Sequence, residues 1–241
     1  MKKSILNWSG GKDSALSLHY CQKNKDIEIK YLLTTLSEEY ERISMHGVRK
    51  ELLQLQAENI GIKLKEIYLP ESASMEIYDD IMENTLNGFK NEGIEYAVFG
   101  DIFLEDLKKY REERLADVQM KGLFPLWEKT SVEIIKEFIG LGFLTVVVCV
   151  NEQYLDPSFT GRVIDEDFLS DLPENVDPCG ENGEFHTFVF DGPVFKKKID
   201  YRLGRLVHRA YKTKMENNDH DIDGDKTNRE TTFWYRDILV K

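Results

Sequence analysis

The chain has 241 residues, 41% of them hydrophobic, enough for one large domain or two unequal ones built on their own cores. Its formal charge of −12 opposes a long-range pull toward polyanions, and its longest stretch free of charged and amide side chains, residues 138–150, is thirteen residues interrupted by Gly140 and Gly142. A membrane-spanning helix needs ~20, so neither nucleic acid nor a membrane is expected as a partner. Cys21, Cys149 and Cys179 stand far apart and in no C-x-x-C arrangement, which points away from a disulfide framework or a zinc site and toward a reducing cytoplasm. The N-terminus reaches a glycine loop without the apolar run of an export signal.

In chain order, β-type runs at 4–8, 27–35, 63–69 and 96–99 alternate with amphipathic stretches at 13–23, 48–59, from Met75, and 104–119. Met75, Tyr78, Met82, Leu86 and Phe89 fall at helical spacing and predict a core-facing stripe. Such alternation predicts an α/β fold, a doubly wound parallel sheet with right-handed crossovers. After Trp127 the rhythm changes. Thr130-Ser131-Val132-Glu133 reads as a capping box opening a helix to about Leu141. A buried strand at 143–150 and β-type runs at 184–190, 206–214 and 231–240 follow, with Asp191-Gly192 a turn signal after the first of these three. Residues 1–127 are therefore expected to form one domain and residues 128–241 a second, smaller α+β domain.

The first strand runs into Ser9-Gly10-Gly11-Lys12-Asp13-Ser14 and then a helix. Amides at a helix N-terminus, glycines that let an anion approach the main chain, two hydroxyls and a lysine together make a phosphate cradle. Asp13 is placed to cap the helix or to help hold a metal. The kinase-type spacing G-x-x-x-x-G-K-S/T and the dinucleotide spacing G-x-G-x-x-G are both absent. The segment resembles the S-G-G-x-D-S loop of the ATP pyrophosphatase superfamily, whose members cleave ATP between the α- and β-phosphates. That resemblance implies about five parallel strands of the adenine nucleotide alpha-hydrolase type, with ATP across the carboxyl ends at the switch point. It places Gly100 and Asp101, after the strand at 96–99, beside the loop to serve Mg2+ or the ribose and phosphates, and Thr34 at the adenine. Asp101 also reads as an N-cap of the next helix.

The stretch from Asp177 through Cys179-Gly180-Glu181-Asn182-Gly183-Glu184 to Phe195 resembles the diphthine–ammonia ligase family. Ser44-Met45-His46-Gly47-Val48, Phe99-Gly100-Asp101-Ile102 and Gly161-Arg162-Val163-Ile164-Asp165 agree with it. The resemblance implies an AMP-forming ligase that adenylylates a diphthine carboxylate on elongation factor 2 and joins it to ammonia, releasing pyrophosphate. Lys12, Glu181 and Glu184 are the expected catalytic residues, the carboxylates serving as base or cation holder. His46, Gly180 and Gly183 are expected on the substrate side; His46 reads equally as a structural loop residue. Asn182 stands where the family has glycine, a departure that bears on acceptor fit in a turn asparagine can tolerate. Cys179 reads as an inert buried thiol or a nucleophile, and Arg111 and Arg114 as phosphate-reaching or solvated. Two rivals stay open: the same adenylylation on a different acceptor, and a nucleotide sensor without turnover. Oligomeric state is left open as well.

Asp219, Asp221, Asp223, Gly224 and Glu230 match the spacing of a calcium loop, with Lys226 where an aliphatic residue belongs and strand-like flanks. A solvated connection between two strands is the alternative.

Overall fold

The computed structural model of the chain describes residues 1–43, 46–70, 73–213 and 229–241. The calcium-type loop from Asp219 to Gly224 lies outside the described residues. Five parallel strands, β1 (Lys2–Asn7), β2 (Ile27–Ser37), β3 (Lys63–Leu69), β4 (Tyr96–Val98) and β5 (Lys121–Leu123), form one sheet in the order β3-β2-β1-β4-β5. Helices α1 (Lys12–Lys23), α2 (Lys50–Ile60), α3 (Met75–Asn91) and α4 (Glu105–Asp117) make the crossovers.

Strand residues alternate between the two faces because the side-chain period is two. Leu6, Leu32 and Leu36 pack with Leu16 of α1 and Leu52 of α2. Their neighbours Ile5 and Leu33 pack with Leu86 and Phe89 of α3 and Leu115 of α4. The sheet is thus doubly wound, as the alternation in the sequence predicts.

The α3 stripe is buried only at its far end. Leu86 and Phe89 are 5% and 3% exposed, whereas Met75 is 64% exposed. The first turns of α3 stand past the carboxyl edge of the strands, where Tyr78 lines open space in place of core.

Helix α5 (Ser131–Gly140) opens with the expected capping box: the Glu133 amide donates to Thr130 Oγ1 at 3.2 Å, and the Thr130 amide donates to Glu133 Oε2 at 3.0 Å. Strands β6 (Leu144–Asn151), β7 (Phe185–Asp191), β8 (Tyr201–Thr213) and β9 (Arg229–Val240) form a separate antiparallel sheet in the order β7-β6-β9-β8, with the short α6 (Glu166–Asp171) before β7. The Asp191-Gly192 turn ends β7 without making a hairpin, since β7 and β8 occupy opposite edges. The Gly192 amide donates to Asp191 Oδ1 at 2.9 Å.

The two sheets share one continuous buried cluster, in which Leu16 and Leu52 join Phe138, Val147 and Phe188. Strand β7 lies against the start of α1, and the Val189 amide donates to the Gly10 carbonyl at 2.9 Å. The antiparallel sheet therefore helps to shape the glycine loop.

Candidate active site

Strand order reverses at β1, which has β2 on one side and β4 on the other. Ligands bind open α/β sheets at the carboxyl ends of such a pair. Here those ends carry Ser9-Gly10-Gly11 and Phe99-Gly100-Asp101. A Cβ added to Gly100 would meet the backbone carbon of Asp13 at 3.0 Å, so glycine lets the two segments touch.

Gly10 adopts φ +74°, and Gly11 stands at the N-cap of α1 with no side-chain cap. First-turn amides of a helix have no intrahelical acceptor, and the positive end of the helix dipole favours negative charge. Ser9 Oγ accepts from the Gly11 amide at 3.2 Å and sits 3.3 Å from Ser14 Oγ, which donates to the Gly11 carbonyl at 2.9 Å. Lys12 is only 4% exposed, its ammonium 2.7 Å from Asp13 and 3.9 Å from Glu181. Burial works against that charge, but Asp13 and Glu181 outweigh burial and hold the amine above its ordinary range.

Two residues that loop reasoning does not single out hold this shape. Gln56 of α2, wholly buried, accepts from Trp8 Nε1 at 2.8 Å and donates to the carbonyls of Gly10 at 3.0 Å and Val189 at 2.6 Å. Thr187 of β7 accepts from the Lys12 amide through Oγ1 at 3.1 Å. A glutamine on a helix's buried face was the available signal for the first. Nothing local marks the second.

Asp101 does not cap α4, whose N-cap is Leu104. It pairs with Arg111 at 2.8 Å, and Arg111 also lies 4.4 Å over the Phe99 ring. Burial lifts the Asp101 carboxyl above its usual range; Arg111 opposes that and Asp13 adds to it. Arg114 points instead to Asp117 and Asp79, at 3.5 and 3.9 Å. Thr34 is buried within β2, on the face that carries Leu32 and Leu36.

The turn between Asp177 and Glu184 brings the second half of the chain to the loop. Glu184 is wholly buried and accepts three bonds inside the turn, from the amides of Asp177 and Asn182, each at 2.9 Å, and from Asn182 Nδ2 at 3.0 Å. Positive φ is adopted by Gly180 (+73°) and Gly183 (+82°), not by Asn182. Asparagine is accommodated here by bonding to Glu184 and not by a left-handed backbone. Glu181 sits at the tip, facing Lys12. Burial, together with the negative charges of Asp13, Asp177 and Asp101, outweighs Lys12 and pushes its carboxyl up to about 8.

His46 stacks on His186 of β7 with ring centroids 4.4 Å apart. Burial lowers both imidazoles, His46 to about 4 against a backbone bond to Thr187; Lys12 adds to the effect on both, and His46 adds to it on His186, so the pair is neutral at physiological pH. Cys179 is buried, its thiol bonded to the Ser131 carbonyl at 3.3 Å and raised out of the reactive range by burial. Ser9 through Ser14, Gly100, Asp101, Glu181 and the His46–His186 pair thus converge on one end of the parallel sheet. Glu184, wholly buried, holds the turn that carries Glu181, and Gly183 is half-buried in that turn.

A parallel sheet wound on both faces, with this loop at its switch point, defines a PP-loop protein of the doubly wound α/β class. The particular family follows from comparison of the whole chain: residues 1–122 match the Diphthamide synthase N-terminal domain and residues 130–218 the Diphthamide synthase C-terminal domain, and the chain belongs to the diphthamide synthase family. Among curated relatives, the diphthine–ammonia ligase of Danio rerio is 27% identical over 211 residues, 79% of this chain and 83% of that protein. The human diphthine–ammonia ligase is 32% identical over 116 residues, 46% of this chain; the match spans 43% of the human protein, less than half its length. Among solved structures, the U34-tRNA thiolase NcsA of Methanococcus maripaludis, with its 4Fe–4S cluster, is 19% identical, with a TM-score of 0.36 over 58% of this chain and 57% of that one. So loose a likeness bears on neither the site nor its chemistry. Among the described residues no helix is long and apolar enough to cross a membrane.

Proposed function

We propose that this chain is an ATP-dependent ligase that adenylylates a diphthine carboxylate and joins it to ammonia, releasing AMP and pyrophosphate. The observation that carries the reading is the delivery of Glu181, on a turn from the second half, to within 3.9 Å of the Lys12 ammonium in the glycine loop. Residues 1–127 supply the nucleotide side and residues 128–241 the acceptor side.

The loop amides, Ser9, Ser14 and Lys12 bind the β- and γ-phosphates, the part that leaves. Thr34 and Gly100 border the adenosine. Asp13 and Asp101 are carboxylates close enough to influence each other's charge, and these hard oxygen donors would hold Mg2+, which would neutralise phosphate charge.

An acceptor carboxylate oxygen attacks the α-phosphorus, the α–β anhydride bond breaks, and pyrophosphate departs on the loop. Ammonia then attacks the acyl carbon, AMP leaves, and Glu181 takes the proton released from the attacking nitrogen. A carboxyl held at about 8 has the affinity a proton acceptor near neutral pH requires. Glu184 acts by holding the turn, while Gly180 and Gly183 give it shape and His46 lines the substrate side.

The test is incubation with α-labelled ATP, magnesium, ammonium and elongation factor 2 carrying unamidated diphthine. AMP should form together with the acid-to-amide mass change on the factor. Lys12→Ala should abolish AMP formation; Glu184→Ala should keep nucleotide binding and lose amide formation. AMP without amide on any carboxylate would refute the ligase assignment, and full activity in both variants would refute the site.

A further inference from the structure

A cavity of about 440 Å³ separates the carboxyl ends of β2 and β3 from the second sheet. One wall is the β2–α2 loop with Tyr40, Arg42 and His46; facing it are Arg209 and Tyr211 of β8 and Tyr235 of β9. The register sets Val207 opposite Tyr235, and the period of two then puts Arg209 and Tyr211 on the same face.

The cavity is graded from mouth to floor. Tyr40, Met75, Val207 and Tyr211 are 41%, 64%, 38% and 42% exposed, an apolar and aromatic rim open to the surface. Further in, the Tyr235 ring lies against Gly47, where an added Cβ would meet it at 2.8 Å. Beside Gly47 is His46, stacked on His186, whose chain neighbour Thr187 holds the Lys12 amide. Ring contacts at Tyr235–Gly47 and His46–His186, joined by chain neighbours, thus run from the rim to the glycine loop.

Its charge is opposite to that of the chain. Arg42, Arg209 and Arg236 stand among the lining residues against Asp237 alone, in a protein of net charge −12. Asp237 is already engaged by Arg42 at 2.8 Å and by Arg49 at 2.7 Å, and Arg209 lies 5.3 Å over the Tyr40 ring. Adenosine offers arginines no charge to meet, whereas a carboxylate does. An apolar, aromatic rim suits a group carried on a protein surface.

We propose that this cavity is the acceptor pocket: a carboxylate-bearing side chain of a protein enters across the Tyr211 rim, is selected by Arg209 and Tyr211, and reaches past His46 toward Lys12. This rests on the ligase reading above. The test varies elongation factor 2 carrying unamidated diphthine at saturating ATP, and then ATP at saturating factor. Arg209→Glu and Tyr211→Ala each raise the KM for the factor roughly tenfold or more and leave that for ATP within about twofold. Arg202→Glu, on the same strand outside the lining, leaves both unchanged. Both altered side chains are exposed, so folding is spared, and thermal melts matching the wild type check this.

A raised KM for ATP with an unchanged KM for the factor would make the cavity the nucleotide's and overturn the proposal. So would wild-type KM values in both variants. If the wild-type chain forms no AMP with this acceptor, the ligase reading itself fails and takes the pocket assignment with it.

Discussion

Gln56→Leu tests whether the glycine loop is held from beneath by α2. Leucine matches glutamine closely in volume, so the change removes three hydrogen bonds while keeping the packing of a wholly buried position. Trp8, 2% exposed, loses the only acceptor that its indole N–H has among the described residues, and the Val189 carbonyl loses its side-chain donor. The Gly10 carbonyl keeps the Val189 amide. A buried polar group left unpaired costs about 1–3 kcal/mol, so two of them, less the apolar gain of leucine, come to about 3 kcal/mol. In a chain of this size that lowers Tm by roughly 6–12 °C. Because Gln56 touches the loop itself, ATP affinity should fall along with stability, by roughly tenfold. Calorimetric melts and ATP titration measure the two effects. A Tm within about 2 °C of wild type would refute the reasoning, and lost stability with intact ATP affinity would refute the link between Gln56 and the loop.

Glu181, a carboxyl raised to about 8, is protonated below that pH and ionised above it, so a proton-accepting role requires kcat/KM at fixed free ammonia to climb through about 8 and then level. Glu181→Gln should flatten that rise, and an unchanged profile would remove Glu181 from the proton transfer. Gly10→Ala places a Cβ 2.7 Å from Gln56 Oε1 at φ +74° and should destabilise the fold by about 2–4 kcal/mol with loss of ATP binding. Gly88→Ala, in α3 with nothing within 4 Å, should instead stabilise by about 0.5–1 kcal/mol in the same denaturation assay.

Much of this protein is written locally. The period-two and helical spacings of the first half, the loop from Ser9 to Ser14 and the Thr130–Glu133 capping box all involve partners a few residues apart. Steric and hydrogen-bonding preferences decide such features wherever the segment sits. That is why the parallel sheet and the glycine loop at its carboxyl end were legible in the sequence. What braces that loop was not. Gln56 is 46 residues from Gly10, and Thr187 is 175 residues from Lys12; a glutamine on a buried helix face marks the first only as a group in need of a partner, and nothing local marks the second. The raised carboxyl of Glu181 likewise exists only because folding crowds Asp13, Asp101 and Asp177 around it in a place water reaches poorly. Sequence alone determined that a strand, a glycine loop and a helix would follow one another at the carboxyl edge of the sheet. Only the tertiary structure decided which distant side chains brace that loop and which carboxylate faces it, because burial and long-range packing set those choices.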